Sequence, residues 1–102
     1  MFKLKADPTF RRAVKIRALD GQVHELHLDM RHMRKADLEA FVAALPGRPD
    51  EDVVRDLVVG WHDVDTEFTP DALAELLQQY EGAGVEIWRE YLRAYEDARA
   101  KN

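Results

Sequence analysis

The stretch that decides the fold runs from Phe10 to Met30 and reads FRRAVKIRALDGQVHELHLDM. On both sides of its Asp-Gly pair, apolar residues alternate with charged ones, which predicts a half-buried β-hairpin. One face of each strand is therefore apolar. These faces consist of Phe10, Val14, Ile16 and Ala18 in the first strand and of Leu26, Leu28 and Met30 in the second.

The length of the hairpin loop decides whether the two apolar faces lie on the same side. A two-residue loop at Asp20-Gly21 would turn them to opposite sides, because side chains alternate along a strand. A three-residue loop over 19–21 pairs Val14 with Leu26 and aligns the faces. We therefore expect a type I turn with Gly21 as the left-handed bulge residue.

After the hairpin, the apolar spacing changes to the period of helices. It predicts helices over 35–45, from Asp50 to near Trp61, from Thr69 to Tyr80 and from about Val85 to Arg99. Thr69 and Pro70 are a strong start signal for the third helix, as N-cap and first helical residue. The sum is an α+β fold, an N-terminal β-hairpin packed on about four α-helices. Residues 1–9 are expected to be a flexible lead, and 10–102 a single domain.

The composition favours a small globular protein and excludes several function classes. The chain has 102 residues, no cysteine and a formal net charge of −5. Residues 1–35 carry +5 and residues 36–102 carry −10, which we interpret as two parts of one domain that attract each other. We expect no nucleic-acid partner, since the whole chain would repel one. We also expect no signal peptide and no membrane span, because no apolar run is long enough.

The residues that carry chemistry are few. There is no serine and no glycine-rich phosphate loop, and His24 and His27 point to opposite faces of one strand. Asp63, Asp65 and Glu67 begin like a calcium loop, but Phe68 stands where such a loop needs glycine. We therefore expect no metal, no cofactor and no enzyme activity. A small hydrolase that uses an acid pair on the helix surfaces stays an alternative.

The last helix has a broad aromatic stripe. Trp88, Tyr91 and Tyr95 follow helical spacing, and Leu92 lies beside them. Most of this stripe is expected to be core. Any exposed part would be a site for self-association or for a protein partner.

The segment 58–80 carries a more specific pattern. Gly60-Trp61 is followed by a short acidic turn, by Phe68-Thr69-Pro70 and by a leucine-rich helix. This order resembles the tail assembly chaperones of long-tailed bacteriophages and prophages, whose final aromatic helix ends in a tyrosine and basic residues. Tyr95, Arg99 and Lys101 look like that ending. The resemblance covers most of the chain from residue 10 onward.

The resemblance implies a non-enzymatic function in the cytoplasm of the bacterial host. Proteins of this family bind the tape measure protein, a long helical chain, and keep it soluble while tail tube subunits polymerise around it. They are absent from the finished virion. The tape measure protein, and secondarily the tail tube protein, are thus the expected partners. The alternative is a generic acidic protein-interaction module, an adaptor or an inhibitor.

A client needs an apolar patch, and we place it on the last helix. The expected patch consists of Trp88, Tyr91, Leu92 and Tyr95, joined by Leu76 and Tyr80. Trp61 and Phe68 are instead expected in the core, because they flank the acidic turn and would fix it when buried.

Overall fold

The computed structural model describes residues 1–100. Its elements are β1 (Thr9–Arg17), β2 (Val23–Arg31), α1 (Lys35–Ala43), α2 (Asp50–Leu57), β3 (Val58–His62), α3 (Pro70–Gln79) and α4 (Ala83–Ala100). The strands form one antiparallel sheet in the order β1-β2-β3. The α+β class, with an N-terminal hairpin and four helices, is therefore confirmed. Lys101, expected in the basic ending, lies outside the described residues.

The hairpin has the register that the loop argument requires. Val14 lies opposite Leu26. The amide of Ala18 donates to the carbonyl of Gln22 at 2.8 Å, which leaves a loop of three residues. Gly21 has a φ of +90°, the left-handed conformation that glycine adopts without a steric penalty. The predicted loop length and the bulge glycine are thus confirmed, and the apolar faces of both strands lie on one side.

The third strand corrects the prediction of a helix from Asp50 to near Trp61. The helix ends at Leu57, and the chain continues directly as β3. The β-branched pair before Gly60 favours a strand, and a two-stranded hairpin is marginal without further support. Trp61 thus lies opposite Leu28 of β2 instead of on a helix. A Cβ on Gly60 would meet the Asp29 carboxylate at 3.2 Å, so glycine permits close strand pairing here.

The third helix begins as predicted, whereas the fourth begins earlier. The Thr69 hydroxyl accepts a hydrogen bond from the amide of Ala72 at 3.0 Å, and Pro70 is the first helical residue. α4 starts at Ala83 instead of about Val85. Gly84 therefore lies inside this helix, where a Cβ would meet the Asp50 side chain at 3.0 Å.

The core lies between the sheet and the helices, with α4 packed across β1. Its buried apolar residues are Val14, Ile16, Leu28, Met30, Val53, Val54, Leu57, Val58, Leu73, Ala83, Ile87 and Tyr91.

A charged residue, Arg12, lies on the same inner face of β1 as Val14 and Ile16. Its guanidinium donates to buried Glu90 at 2.8 Å and to Asp97 at 3.0 Å. Burial works to lower the pKa of Arg12, but these two hydrogen bonds outweigh burial and raise it.

The turn glycine gives a direct test of the hairpin geometry. Gly21→Ala should lower the free energy of unfolding by about 1–2 kcal/mol, because a side chain is strained at this φ. Gly82→Ala is the matched control, since its φ is not left-handed and its Cβ would meet no atom within 4 Å. Urea unfolding followed by circular dichroism measures both. Equal stability of the two variants would contradict the assigned turn.

Candidate functional site

Tyr91, one of the residues predicted to bind a partner, is a core residue. Its side chain is fully buried. Its hydroxyl donates to the carbonyl of Arg31 at 2.7 Å and lies 3.0 Å from the hydroxyl of Tyr95. Burial, followed by the contact with Tyr95, raises the pKa of Tyr91 far above its ordinary value. A partner cannot reach this ring without opening the core.

Trp88 and Tyr95 are half-buried and hold other parts of the chain. The ring of Trp88 packs against Phe41 of α1, with 5.9 Å between the ring centroids. The hydroxyl of Tyr95 accepts a hydrogen bond from the backbone amide of Met33 at 2.8 Å. Both rings therefore connect α4 to the chain that follows the hairpin. A role for Trp88, Tyr95 and half-buried Leu92 in partner binding stays a prediction.

Leu76 and Tyr80 line a groove of about 590 Å³ between the sheet and α3. Its lining also contains apolar side chains from other elements: Ile16 and Leu26 from the hairpin, Trp61 from β3 and Val64 from the turn that follows. A volume of this size is typical of sites that hold a small ligand or a short peptide segment. We call it the hairpin groove.

Acidic side chains surround the hairpin groove. They are Asp63, Asp65 and Glu75. Across the ion pairs of residues 1–100, none of the three contacts a lysine or arginine. Glu25 also belongs to the lining, but its side chain lies on the outer face of β2, 3.2 Å from the ring of His27. Carboxylates around an apolar cleft concentrate a negative potential there. The hairpin groove therefore favours a ligand that is apolar and positively charged.

The acidic turn that carries two of these carboxylates is fastened by Trp61. The indole donates a hydrogen bond to the carbonyl of Thr66 at 2.8 Å, and its ring meets Phe68 edge to face at 5.1 Å. Asp63 begins the turn with a φ of +57°, a strained value for a residue other than glycine. Both rings are half-buried and pack against the core, whereas the sequence predicted them inside it.

Ile16, Leu26 and Trp61 contribute to this groove although the sequence did not predict them there. One sequence feature pointed toward their contribution. The apolar face of the hairpin continues up to its turn, and no helix had been assigned to cover that end. Trp61 was placed on a helix, so its position beside the strands could not be foreseen.

A second cavity of about 220 Å³ lies at Trp88, with Leu45 and Val54 in its lining. It shares no lining residue with the hairpin groove. The six residues predicted to bind a partner therefore lie in four places. Leu76 and Tyr80 line the hairpin groove, and Trp88 lines the second cavity. Tyr91 is buried in the core, and Leu92 and Tyr95 are half-buried on α4.

An acid–base pair lies on the outer face of the sheet. His62 Nε2 is 2.7 Å from Asp29 Oδ2, and Arg11 donates a hydrogen bond to the other carboxylate oxygen, Oδ1, at 3.2 Å. Desolvation acts to raise the pKa of Asp29, but the contacts with His62 and Arg11 outweigh this effect, and the pKa lies below its ordinary value. None of the three residues lines either cavity.

Among residues 1–100, no group of three or more His, Asp and Glu side chains is placed to hold a metal ion. Within the same residues, no helix combines the length and the apolar character that crossing a membrane requires.

The fold and the groove together define a small acidic α+β protein with a concave, partly apolar surface. A family model described as phage tail assembly chaperone matches residues 1–102, the whole chain. The chain therefore belongs to the phage tail assembly chaperone family, which confirms the resemblance. No curated protein matches it, and no solved structure does.

The core role of Tyr91 can be tested by removing one oxygen atom. Tyr91→Phe leaves the carbonyl of Arg31 without its buried donor and should lower the free energy of unfolding by about 1–2 kcal/mol. Tyr80→Phe is the control, because its hydroxyl makes no hydrogen bond within the described part of the chain. It should change stability by less than about 0.5 kcal/mol. A partner-binding Tyr91 with no structural role would instead give two equally stable variants.

Proposed function

We propose that this chain binds the tape measure protein through the hairpin groove and keeps it soluble while the tail tube assembles. The single observation that carries the proposal is an open apolar groove in a member of this family, lined by Leu76 and Tyr80. An amphipathic segment of the client lays its apolar side into the groove. The net charge of −5 keeps the complex dispersed.

The size of the groove suits binding that can be reversed. Burial of one large apolar anchor contributes about 1.5–3 kcal/mol, and a groove of this volume accepts only a few anchors. The loss of freedom on association removes several kcal/mol from that sum. A client held with moderate affinity is released when tube subunits compete for it, by mass action and without a nucleotide cycle.

The same proposal covers the location and the chemistry of the protein. It acts in the cytoplasm of the bacterial host, uses no cofactor, breaks no bond and is absent from the mature virion. The tail tube protein is its second partner, since that protein displaces it from the client.

The test is co-expression with the tape measure protein of the same phage or prophage. The double variant Leu76→Ala/Tyr80→Ala removes two anchors and should weaken client binding roughly tenfold or more. The soluble fraction of the client should fall in parallel. Pull-down titration measures the affinity, and gel densitometry of the cleared lysate measures solubility.

Two further variants make this test specific. Val42→Ala removes an apolar side chain that is 44% exposed on α1 and lies outside both cavities, so it should behave as wild type. Leu92→Ala tests the part of the predicted patch that lies on α4. A client that stays soluble with the groove variant but not with Leu92→Ala would move the binding site to α4. A client that neither binds the wild-type protein nor becomes more soluble in its presence would refute the proposed function itself.

A further inference from the structure

The middle strand of the sheet is longer than the strand β3 that lies beside it. β2 has nine residues, whereas β3 pairs only with the stretch from His27 to Met30. Residues 23–26 therefore have β1 on one side and no strand of residues 1–100 on the other. We call this stretch the free edge of β2. The proposed function, as stated above, does not use it.

The hydrogen bonds of the hairpin show which backbone groups this edge presents. In an antiparallel pair, every second residue bonds to the neighbouring strand, and the residues between them point their amides and carbonyls away. The hairpin bonds at Ala18 and at His32 place the even-numbered residues of β2 toward β1. The amides and carbonyls of Val23 and Glu25 therefore point away from β1. β3 ends before it reaches them, so no strand within residues 1–100 pairs with these groups.

A bend at Asp63 opens the space beside this edge. β3 runs along β2 as far as His62, and the chain bends at the next residue. Asp63 has a φ of +57°, which lies outside the range of a strand, so the chain does not continue the pairing. The lining of the hairpin groove includes residues 24–26 of β2 and residues 63–66 of the turn. The groove therefore lies where a longer β3 would run.

We propose that the client segment binds as an extended strand on the free edge of β2 and that it carries basic residues. This inference rests on the proposed function, because it specifies the segment that occupies the hairpin groove. The segment lies in line with β3 and exchanges backbone hydrogen bonds with Glu25. Addition of a strand to an exposed sheet edge is a recurring mode of peptide recognition.

The pleat of the sheet assigns the side chains of the segment. Side chains alternate between the two faces, and those of His24 and Leu26 lie on the groove side of β2. Segment residues opposite these two point into the groove toward Leu76 and Tyr80, where apolar side chains fit. The segment residue between them lies opposite Glu25 and points to the outer face. The expected pattern is thus apolar, polar, apolar.

Carboxylates around the groove favour lysine or arginine beside that apolar pair. Asp63, Asp65 and Glu75 line the groove and form no ion pair with a lysine or arginine of residues 1–100. A negative potential in a cleft raises the local concentration of a cationic ligand. Glu25 contributes only its backbone to this contact, because its side chain lies on the outer face opposite Lys15.

The edge of β1 differs from the free edge of β2 in its charges. β1 is the outermost strand at one side of the sheet, and its exposed side chains include Arg11, Lys15 and Arg17. Basic side chains along an edge are a usual protection against the addition of a strand. The free edge of β2 contains no lysine, arginine or proline. It is therefore the edge that admits a basic segment.

The first probe is the peptide acetyl-Lys-Ile-Thr-Ile-Lys-amide. Its isoleucines fit the groove, its threonine lies opposite Glu25, and its sequence reads the same in both directions, so either strand orientation is tested. In an NMR titration, the amide signals of Val23 and Glu25 should shift. When the peptide is bound, the amide of Glu25 should exchange with solvent about tenfold more slowly or less, because the peptide gives it a hydrogen-bond acceptor.

Modified peptides separate the backbone contact from the charges. N-methylation of the threonine removes the donor that faces β2 and should weaken binding about tenfold or more. N-methylation of the second isoleucine alters an amide that faces away from β2, so this peptide should bind like the parent. The peptide with glutamate in place of both lysines should bind about tenfold more weakly or less, since the carboxylates of the groove repel it.

Proline at position 25 tests the same contact from the side of the protein. Glu25→Pro removes the amide that faces the segment but no hydrogen bond of the hairpin, and proline is tolerated at such an edge. It should bind the peptide about tenfold more weakly than Glu25→Ala, which retains the amide. Lys15→Pro is the matched control, because its amide points away from β2 at the edge of β1, and it should bind as wild type does. Circular dichroism verifies the fold of each variant.

Three results would overturn the inference. They are unchanged signals of Val23 and Glu25 at about 5 mM peptide, equal affinities of Glu25→Pro and Glu25→Ala, and equal affinities of the two N-methylated peptides. A tape measure protein whose binding is weakened by Leu76→Ala/Tyr80→Ala but not by Glu25→Pro would occupy the groove as a helix. That result refutes the strand and leaves the proposed function standing. A peptide that binds as described beside a tape measure protein that does not bind would refute the proposed function alone.

Discussion

The three-residue loop of the hairpin determines on which side of the sheet the core forms. Because side chains alternate, an odd loop places Val14 and Leu28 on one side, and an even loop would separate them. Only a joint apolar face is wide enough for α4 to pack across β1 while α2 continues into β3 beside β2. The helices α1, α2 and α3 have ten residues or fewer and are too short to be stable alone in water, so they depend on packing.

The same alternation places one charge on the inner face, and that charge sets the orientation of α4. Arg12 occupies an inward position of β1 and is met there by Glu90 and Asp97. Because Glu90 is nearly buried, its position fixes how the helix is rotated about its axis. Tyr91, the next residue, then points into the core and reaches the carbonyl of Arg31. Removing one partner of this network would leave the other charge uncompensated, and this is strongly destabilising where the charge is buried, as it is for Glu90.

Local signals in the sequence were sufficient for the hairpin and for α3. The loop length follows from alternation, and the Thr69 cap needs only residues within four positions of it. The errors arise where distant parts of the chain decide. Val58 and its neighbours fit a helical stripe, but the free edge of β2 draws them into a strand. The burial of Tyr91 likewise depends on distant residues, since its hydroxyl reaches the carbonyl of Arg31 and its ring packs on Phe10.

The candidate site was half predicted, because helix periodicity finds an apolar stripe but not the element that faces it. Leu76 and Tyr80 were identified on α3, whereas the hairpin side of the groove was not. Its lining combines Ile16 and Leu26 of the hairpin with Leu76 of α3, whereas α4 packs across β1. These residues lie up to 60 positions apart in the sequence, so the groove arises only when the chain folds. The periodicity of one element shows which of its faces is apolar, but it does not show which other element lies opposite that face.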